Sequence, residues 1–547
     1  MLGVLYNLLR SKTTTFEKAK AVGEITQELE VYPSKTILVC GEGIYEYESE
    51  RELSGLVSAF GGGGQLEDNK GNLACTQSLN ECGGSASVIT DKVTPSPRLA
   101  QHLNLTHKTR QSRSFFSNPR ISAASQARDS QIDSESKCAT QEQQGGEVSE
   151  MNFVGYQARG AGSLLDINDQ TPSVDSRESR SETNHTQKNF HFRDIFGNYH
   201  RFFRPYTRTL PPLKVRAFAH AYCYSHSSEI LITASRKALI SQTSYMTHEF
   251  APPRALSTPR KILFVLKTCL KWLRFYTACP QRIDGTLAIM HQSSNYFHYL
   301  VESVSSMLQI IHSGLEVDYY VLDTSTPFAR EMVEILQIPR EKILSPKPHR
   351  LLRADSLLLP TLTADVETIE YRDRLLFAHA LSLPLNIRDF YASLSTPTSY
   401  MSASHTPTSC PTRKVFLTRP MDSNRNIENL QEVQAVFGEF GYEIVLPDNL
   451  SLREQIALMR ECKIIASMHG AGLANVLFAP SGAVVFEIFS EYYHDFGPQM
   501  CALLRKHRYM YMVGKTRDTS MHPQQENAYI HPEHLRHALK ILEYESN

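Results

Sequence analysis

"KIIASMHGAGLANVLFAPSGAVVFEIF", residues 463–489, is the stretch on which the fold turns. The apolar "KIIAS" stops at a His-Gly-Ala-Gly turn, a short helical pattern follows, and "AVVFEIF" begins after Pro480 and Gly482. Strand, turn, short helix and strand in that order predict two parallel neighbours joined by a crossover. A turn leaving the carboxyl end of a parallel strand to open a helix exposes unpaired backbone N–H groups and the positive end of the dipole. Glycines at 470 and 472 remove the side chains that would hold an anion at a distance. The turn therefore reads either as a seat for a phosphate or as a tight packing solution. It is neither the dinucleotide-binding Gly-x-Gly-x-x-Gly nor a Gly-Lys-Ser phosphate loop.

The flanking sequence continues the pattern. "KVFLT" (414–418) reads as a strand, and "IENLQEVQAVFGEF" (427–440) as a helix closed by Gly441. "YEIVL" (442–446) is the next strand. "SLREQIALMREC" opens with Ser451 and Glu454 at capping-box spacing. Strands alternating with helices through short connections imply a parallel sheet covered on both faces, with ligands at the carboxyl ends of its strands. The closing helix, "HPEHLRHALKILEY" (531–544), is expected to cross back to an earlier lobe.

The 547 residues are too many for one ordinary domain. Residues 1–60 mix helix and strand patterns and are assigned to the start of a first lobe. Residues 61–188, rich in Ser, Gln, Asn, Glu and Gly, bury too little apolar surface to offset chain entropy and read as a mostly disordered insert. Order returns over 189–392, with "DYYVLD" and "DSLLLPTL" as strands and "FAREMVEILQI" as a helix. The Ser/Thr/Pro run 393–412 is a linker, and 413–547 is a C-terminal lobe. Lys plus Arg equals Asp plus Glu at 57 each, which excludes a global basic field for nucleic acid. Ten cysteines lack Cys-x-x-Cys or zinc-ligand spacing and read as reduced thiols. No segment has the apolar length of a membrane span, and a cytoplasmic location is the expectation, with peripheral membrane contact or a lumenal location as alternatives.

Three stretches together resemble glycosyltransferase family 61: "HGAGLANVLFAPSGAVVFEI" (469–488), "NYFHYLVES" (295–303) and "FLTRPMDSNRNIENLQEV" (416–433). They occur in the family's order within about 280–515. One departure is "IENLQ", which places Glu428 before Asn429 where the family usually has Asn-Glu. The resemblance implies a GT-B-like α/β fold, two Rossmann-like lobes facing a cleft. It implies an inverting transfer from a nucleotide-diphosphate sugar, UDP-linked by expectation, to a glycan or lipid-linked glycan acceptor. No metal or other cofactor is expected, since the departing diphosphate is stabilised by helix N-termini and cationic side chains.

On that resemblance, Gly470, Gly472 and Asn475 would contact the donor's phosphates or ribose, and His469 would supply a hydrogen bond or proton near the leaving group. Arg419 and Arg425 offer guanidinium forks to phosphate oxygens, Arg419 being preferred. Glu487 would bind donor hydroxyls. His298 and Glu302, spaced i, i+4, share a helix face beginning at Asn295 on the acceptor side. They are either a catalytic pair, with Glu302 as general base, or a buried hydrogen-bonded couple. His494 and Asp495 are lesser base candidates. "KILFVLKTCLKWLRFYTA" (261–278) is apolar and basic at near-helical spacing, and reads either as an interfacial helix or as an ordinary amphipathic one. A rival reading of the whole chain is a non-catalytic protein that binds a glycan or nucleotide on the same fold.

Overall fold

Apolar strands and capped helices alternate along this chain and, among the described residues, form five sheets, two of which share a core and carry the site. The computed structural model describes residues 13–14, 25–40, 43–59, 66–68, 73–74, 194–198, 206–225, 239–240, 259, 262–263, 266–267, 270, 277–290, 293–347, 350–361, 366–372, 375–380, 384–396, 411–421 and 423–546. Apart from 66–68 and 73–74, the insert expected over 61–188 lies outside the described residues, as does the 397–410 part of the linker.

The first sheet comprises β1 (Ile25–Tyr32), β2 (Leu213–Ala219), β3 (Tyr222–Tyr224), β4 (Gln281–Ile289), β5 (Tyr319–Val321), β6 (Ile343–Leu344) and β7 (Leu351–Pro360). Its order is β6-β5-β4-β7-β2-β1, with β3 also on β7. The pairs among β4, β5, β6 and β7 are parallel, and β1, β2 and β3 join antiparallel. Between β4 and β5 the chain is helical over 296–313, designated α1. It comprises an α turn Tyr296–His298, a π turn Tyr299–Ser303 and an α segment Val304–Ser313. Helix α2 (Pro327–Ile335), strand β8 (Leu375–Ala380) and helix α3 (Arg388–Ser395) complete the first half.

The C-terminal half holds β9 (Arg413–Leu417), α4 (Leu430–Glu439), β10 (Glu443–Val445), α5 (Leu452–Arg460), β11 (Cys462–Met468), a 3₁₀ helix (Ala471–Phe478), β12 (Val484–Phe489), β13 (Tyr493–Asp495), α6 (Gly497–Leu504), β14 (Arg508–Val513) and α7 (Pro532–Ser546). Its sheet runs β10-β9-β11-β12-β14, every pair parallel. The strand order reverses between β9 and β11, so their carboxyl ends flank the topological switch point where doubly wound sheets open a crevice. β12 is buried at every position, as both-face coverage requires.

The Ser451 capping box forms as the sequence predicts: Ser451 Oγ accepts from Glu454 N, and Glu454 Oε2 accepts from Ser451 N. The last helix corrects an expectation. Instead of crossing to the first lobe, α7 packs on its own lobe, where Leu535, Ala538, Leu539 and Leu542 join Val433, Val436 and Phe437 of α4. Arg536 donates from Nε and Nη2 to both oxygens of Glu439, and Lys414 Nζ lies 2.7 Å from Glu543. The apolar stripe of α4 needs a cover on that face, and α7 supplies it.

On the opposite face the two halves merge into one apolar core. Tyr299, Leu300 and Val304 of α1, Met332 of α2 and Tyr391 of α3 lie in it together with Leu473, Val476 and Phe478 of the 3₁₀ helix. Strand β8 also pairs in parallel with β13, crossing between the halves. Replacing Ser451 with Ala removes one cap bond and should lower stability by about 1 kcal/mol, read from the urea midpoint.

Candidate functional site

Two loops leave the switch point, and one arginine joins them. Arg419 lies two residues beyond β9. Its Nη1 donates to Asn424 O (2.8 Å) and Arg425 O (3.2 Å), and its Nη2 to His469 O (2.8 Å) and Met468 O (3.3 Å). Burial, with the neighbouring Arg425 charge, pushes its pKa down to about 10, opposed by the Asp448 charge. It remains a cation at neutral pH. A Cβ on Gly470 would stand 2.2 Å from Arg419 Nη2, so glycine is what lets the guanidinium reach the turn. A Cβ on Gly472 would enter open space.

The helix start beyond the turn keeps its donors. Leu473 N donates to Gly470 O and His469 N to Ile488 O, whereas the N–H groups of Gly470, Ala471 and Gly472 have no acceptor among the described residues. The strand-to-helix turn expected from sequence therefore exists as a structure, with the amides of 470–472 uncommitted.

His469 and Glu487 sit behind the turn. His469 Nδ1 is 2.6 Å from Glu487 Oε1, and the Tyr509 hydroxyl donates to Glu487 Oε2 at 2.5 Å. Both residues are buried. Burial, then the charges of Arg425 and Arg419, hold the imidazole well below its usual pKa, and burial lifts the Glu487 carboxyl well above its own. An uncharged pair puts the proton on Glu487 Oε1 and leaves the ring proton on Nε2. Glu487 is thus spent on His469 and Tyr509 and is not presented to donor hydroxyls. Asn475 is likewise occupied. Its Nδ2 donates to Gly472 O, and its Oδ1 shares the Tyr296 hydroxyl proton with Gln455 Oε1, at 2.7 and 2.9 Å. It braces the turn against α1.

Arg425 is the second cation. It has a positive φ of 59°, a costly conformation for a residue with a Cβ. Its Nη1 donates to Gln524 O, its guanidinium carbon lies 5.3 Å from the centre of the Tyr493 ring, and its Nε is buried without a partner. Neither Arg419 nor Arg425 forms a salt bridge among the described residues. Sequence reasoning favoured Arg419 as the direct phosphate ligand; the structure commits its Nη1 and Nη2 groups to carbonyls and leaves the unused donor on Arg425.

The acceptor-side block arrives on α1. Asn295 caps it, Oδ1 accepting from His298 N. His298 Nδ1 lies 2.9 Å from Glu302 Oε1, across a π turn of the kind that recurs at functional sites. The His298 side chain is 33% exposed and that of Glu302 10%, so the imidazole is the outer member. Burial lowers the His298 pKa, but the hydrogen bond and charge of Glu302, aided by Asp495, outweigh it and raise the pKa above the usual value. Asp495 accepts from Tyr493 OH and Gly497 N. His494 is buried, its Nε2 directed at Ser490 O. The chain His298, Asp495, Tyr493, Arg425 thus links the α1 pair to the switch point, with His469 5.3 Å from Tyr493, ring centre to ring centre. Tyr296, Tyr493 and Tyr509 were not singled out from sequence, because nothing local marks their partners.

The rearranged "IENLQ" has a structural use. Asn429 donates to Ile530 O and accepts from Ile530 N, while Glu428 is exposed, 3.9 Å from Arg517. Among the described residues no group of three or more His, Cys, Asp or Glu could hold a metal ion, and no helix is long and apolar enough to cross a membrane.

Residues 296–486, from the α1 block to the end of the 3₁₀-helix and β12 region, match the family model described as Glycosyltransferase 61. The match, over about a third of the chain, supports glycosyltransferase family 61, the family its three sequence blocks resemble. No curated protein matches the chain.

Gly470→Ala must displace Arg419 and should lower the melting temperature, by an amount equivalent to about 1–3 kcal/mol. Gly472→Ala should melt like the wild type. Scanning calorimetry on the two variants checks the contrast.

Proposed function

We propose that the chain transfers a sugar from a nucleotide-diphosphate donor, UDP-linked, to a glycan or lipid-linked glycan acceptor, with inversion at the anomeric carbon. The observation that carries this reading is the switch point itself, where uncommitted amides at 470–472 stand beside two arginines that have no carboxylate partner. Such a site attracts a dianionic group and favours the charge that accumulates on a departing diphosphate. The fold that goes with this reading is GT-B, with the C-terminal sheet carrying the donor.

Arg425 contacts the diphosphate through its unused donors, and Arg419 holds the turn while adding its charge. The His469 Nε2–H, fixed by Glu487 and Tyr509, donates toward the leaving group. His298 replaces Glu302 as the general base: Glu302 accepts the Nδ1–H and leaves the Nε2 lone pair outward. As the acceptor oxygen bonds to the anomeric carbon, its proton passes to Nε2 and the carbon–phosphate-oxygen bond breaks. Glu302 and Asp495 then stabilise the imidazolium. In this reading no metal is needed, because the cations are side chains.

Thermal shift against UDP, GDP, CMP and dTDP tests the donor. UDP at a hundredfold excess over Kd should stabilise the protein by about 2.7 kcal/mol, with EDTA making no difference. A strict metal requirement overturns the GT-B mechanism, and nucleotide binding without slow donor hydrolysis supports the non-catalytic rival. Arg425→Ala should cost about 2–4 kcal/mol in the transition state, a loss of roughly 30- to 1000-fold in kcat/KM. Gly472→Ala should weaken UDP binding without affecting folding.

The pH profile separates the two candidate bases. With His298 as base, activity rises with pH through a pKa above 6.5. Glu302→Gln removes the larger of the influences that raise it and leaves burial opposed only by the Asp495 charge, so the rising limb should move to lower pH. An unmoved limb with His298→Ala still active sinks this assignment.

A further inference from the structure

Between Glu249 and Asp284 the sequence carries seven Arg and Lys residues and no acidic one, although the whole chain balances 57 against 57. Within that run, Ile262, Leu263, Leu266, Lys267 and Leu270 have helical backbone and are exposed. The four apolar side chains are 45–55% accessible. At about 3.6 residues per turn they fall within an arc of roughly 100°, with Lys267 at its edge. They make up four of the nine large hydrophobic residues exposed among the described residues, gathered into nine positions. An apolar stripe of this width ordinarily faces a core; this one faces solvent.

We propose that this face docks on an anionic lipid surface, its leucines and isoleucine at the acyl boundary and its lysines among the headgroups. Charge decides among the possible occupants. A second copy would bring another basic run against the first, and like charges at close range repel. Anionic headgroups complement Lys267 and the basic composition of the run it belongs to, Lys and Arg being favourable near such a surface. The same run contains the chain's single tryptophan, Trp272, with Phe275 and Tyr276, residue types favoured at the membrane–water boundary. Eleven residues beyond Leu270 begins β4, an inner strand of the first sheet, so docking here would fix the orientation of that sheet to the bilayer. The inference is independent of the glycosyl-transfer mechanism.

The test is co-sedimentation of the full chain with vesicles of phosphatidylcholine alone and with about 30% phosphatidylserine. Binding to the anionic vesicles should exceed that to neutral ones by at least about tenfold and fall with added salt. L263E/L266E and K261Q/K267Q/K271Q should each lose at least about tenfold of it while keeping the wild-type melting temperature. Undiminished binding by the folded leucine variant overturns the proposal. So does absence of binding to either vesicle, or a patch-dependent dimer in sedimentation velocity that vesicles do not dissociate.

Discussion

The site depends on one guanidinium. Arg419 gathers the carbonyls of Asn424, Arg425, Met468 and His469, two from the loop after β9 and two from the turn after β11. Hydrogen bonds to a charged donor are each stronger than neutral ones, and here they join segments some fifty residues apart in sequence. Because the partners are carbonyls and not a carboxylate, the positive charge is held in place without being neutralised. The same clamp accounts for Gly470, where any side chain would occupy the arginine's place, and it leaves the amides that follow uncommitted.

A shared core gives that seat its second wall. The π turn in α1 buries Tyr299, Leu300 and Val301 against the 3₁₀ helix while keeping His298 at the surface. Tyr296 passes its hydroxyl proton between Asn475 and Gln455, so α1 is pinned to the helix that starts at the glycine turn. Strand pairing between β8 and β13 brings Asp495 to the same place. The two halves of the candidate site are thus positioned by packing and buried polar bonds.

Buried titratable groups behind the turn have a different role. His469, Glu487 and Tyr509 form a chain of short hydrogen bonds in which burial suppresses charge on every member. An uncharged network adds no negative field to compete with the arginines in front of it, and it fixes which ring nitrogen carries the proton. A carboxylate ionised at Glu487 would have offset the positive field of Arg419 and Arg425 in front of it.

Local signals were enough for the elements of the C-terminal sheet, the Ser451 capping box and the glycine turn, because each depends on residues within one turn or one strand of one another. The joint pattern of three blocks pointed to the family whose model matches residues 296–486. The roles of particular side chains were decided by tertiary contacts. Asn475 and Tyr296 are 179 positions apart, His469 and Glu487 meet only across neighbouring strands, and α7 stays on its own lobe because α4 offers the complementary stripe. Arg419 and Arg425 look alike in sequence. One is committed to carbonyls and the other keeps a buried donor, since hydrogen-bond satisfaction depends on which groups converge in space and not on their order along the chain.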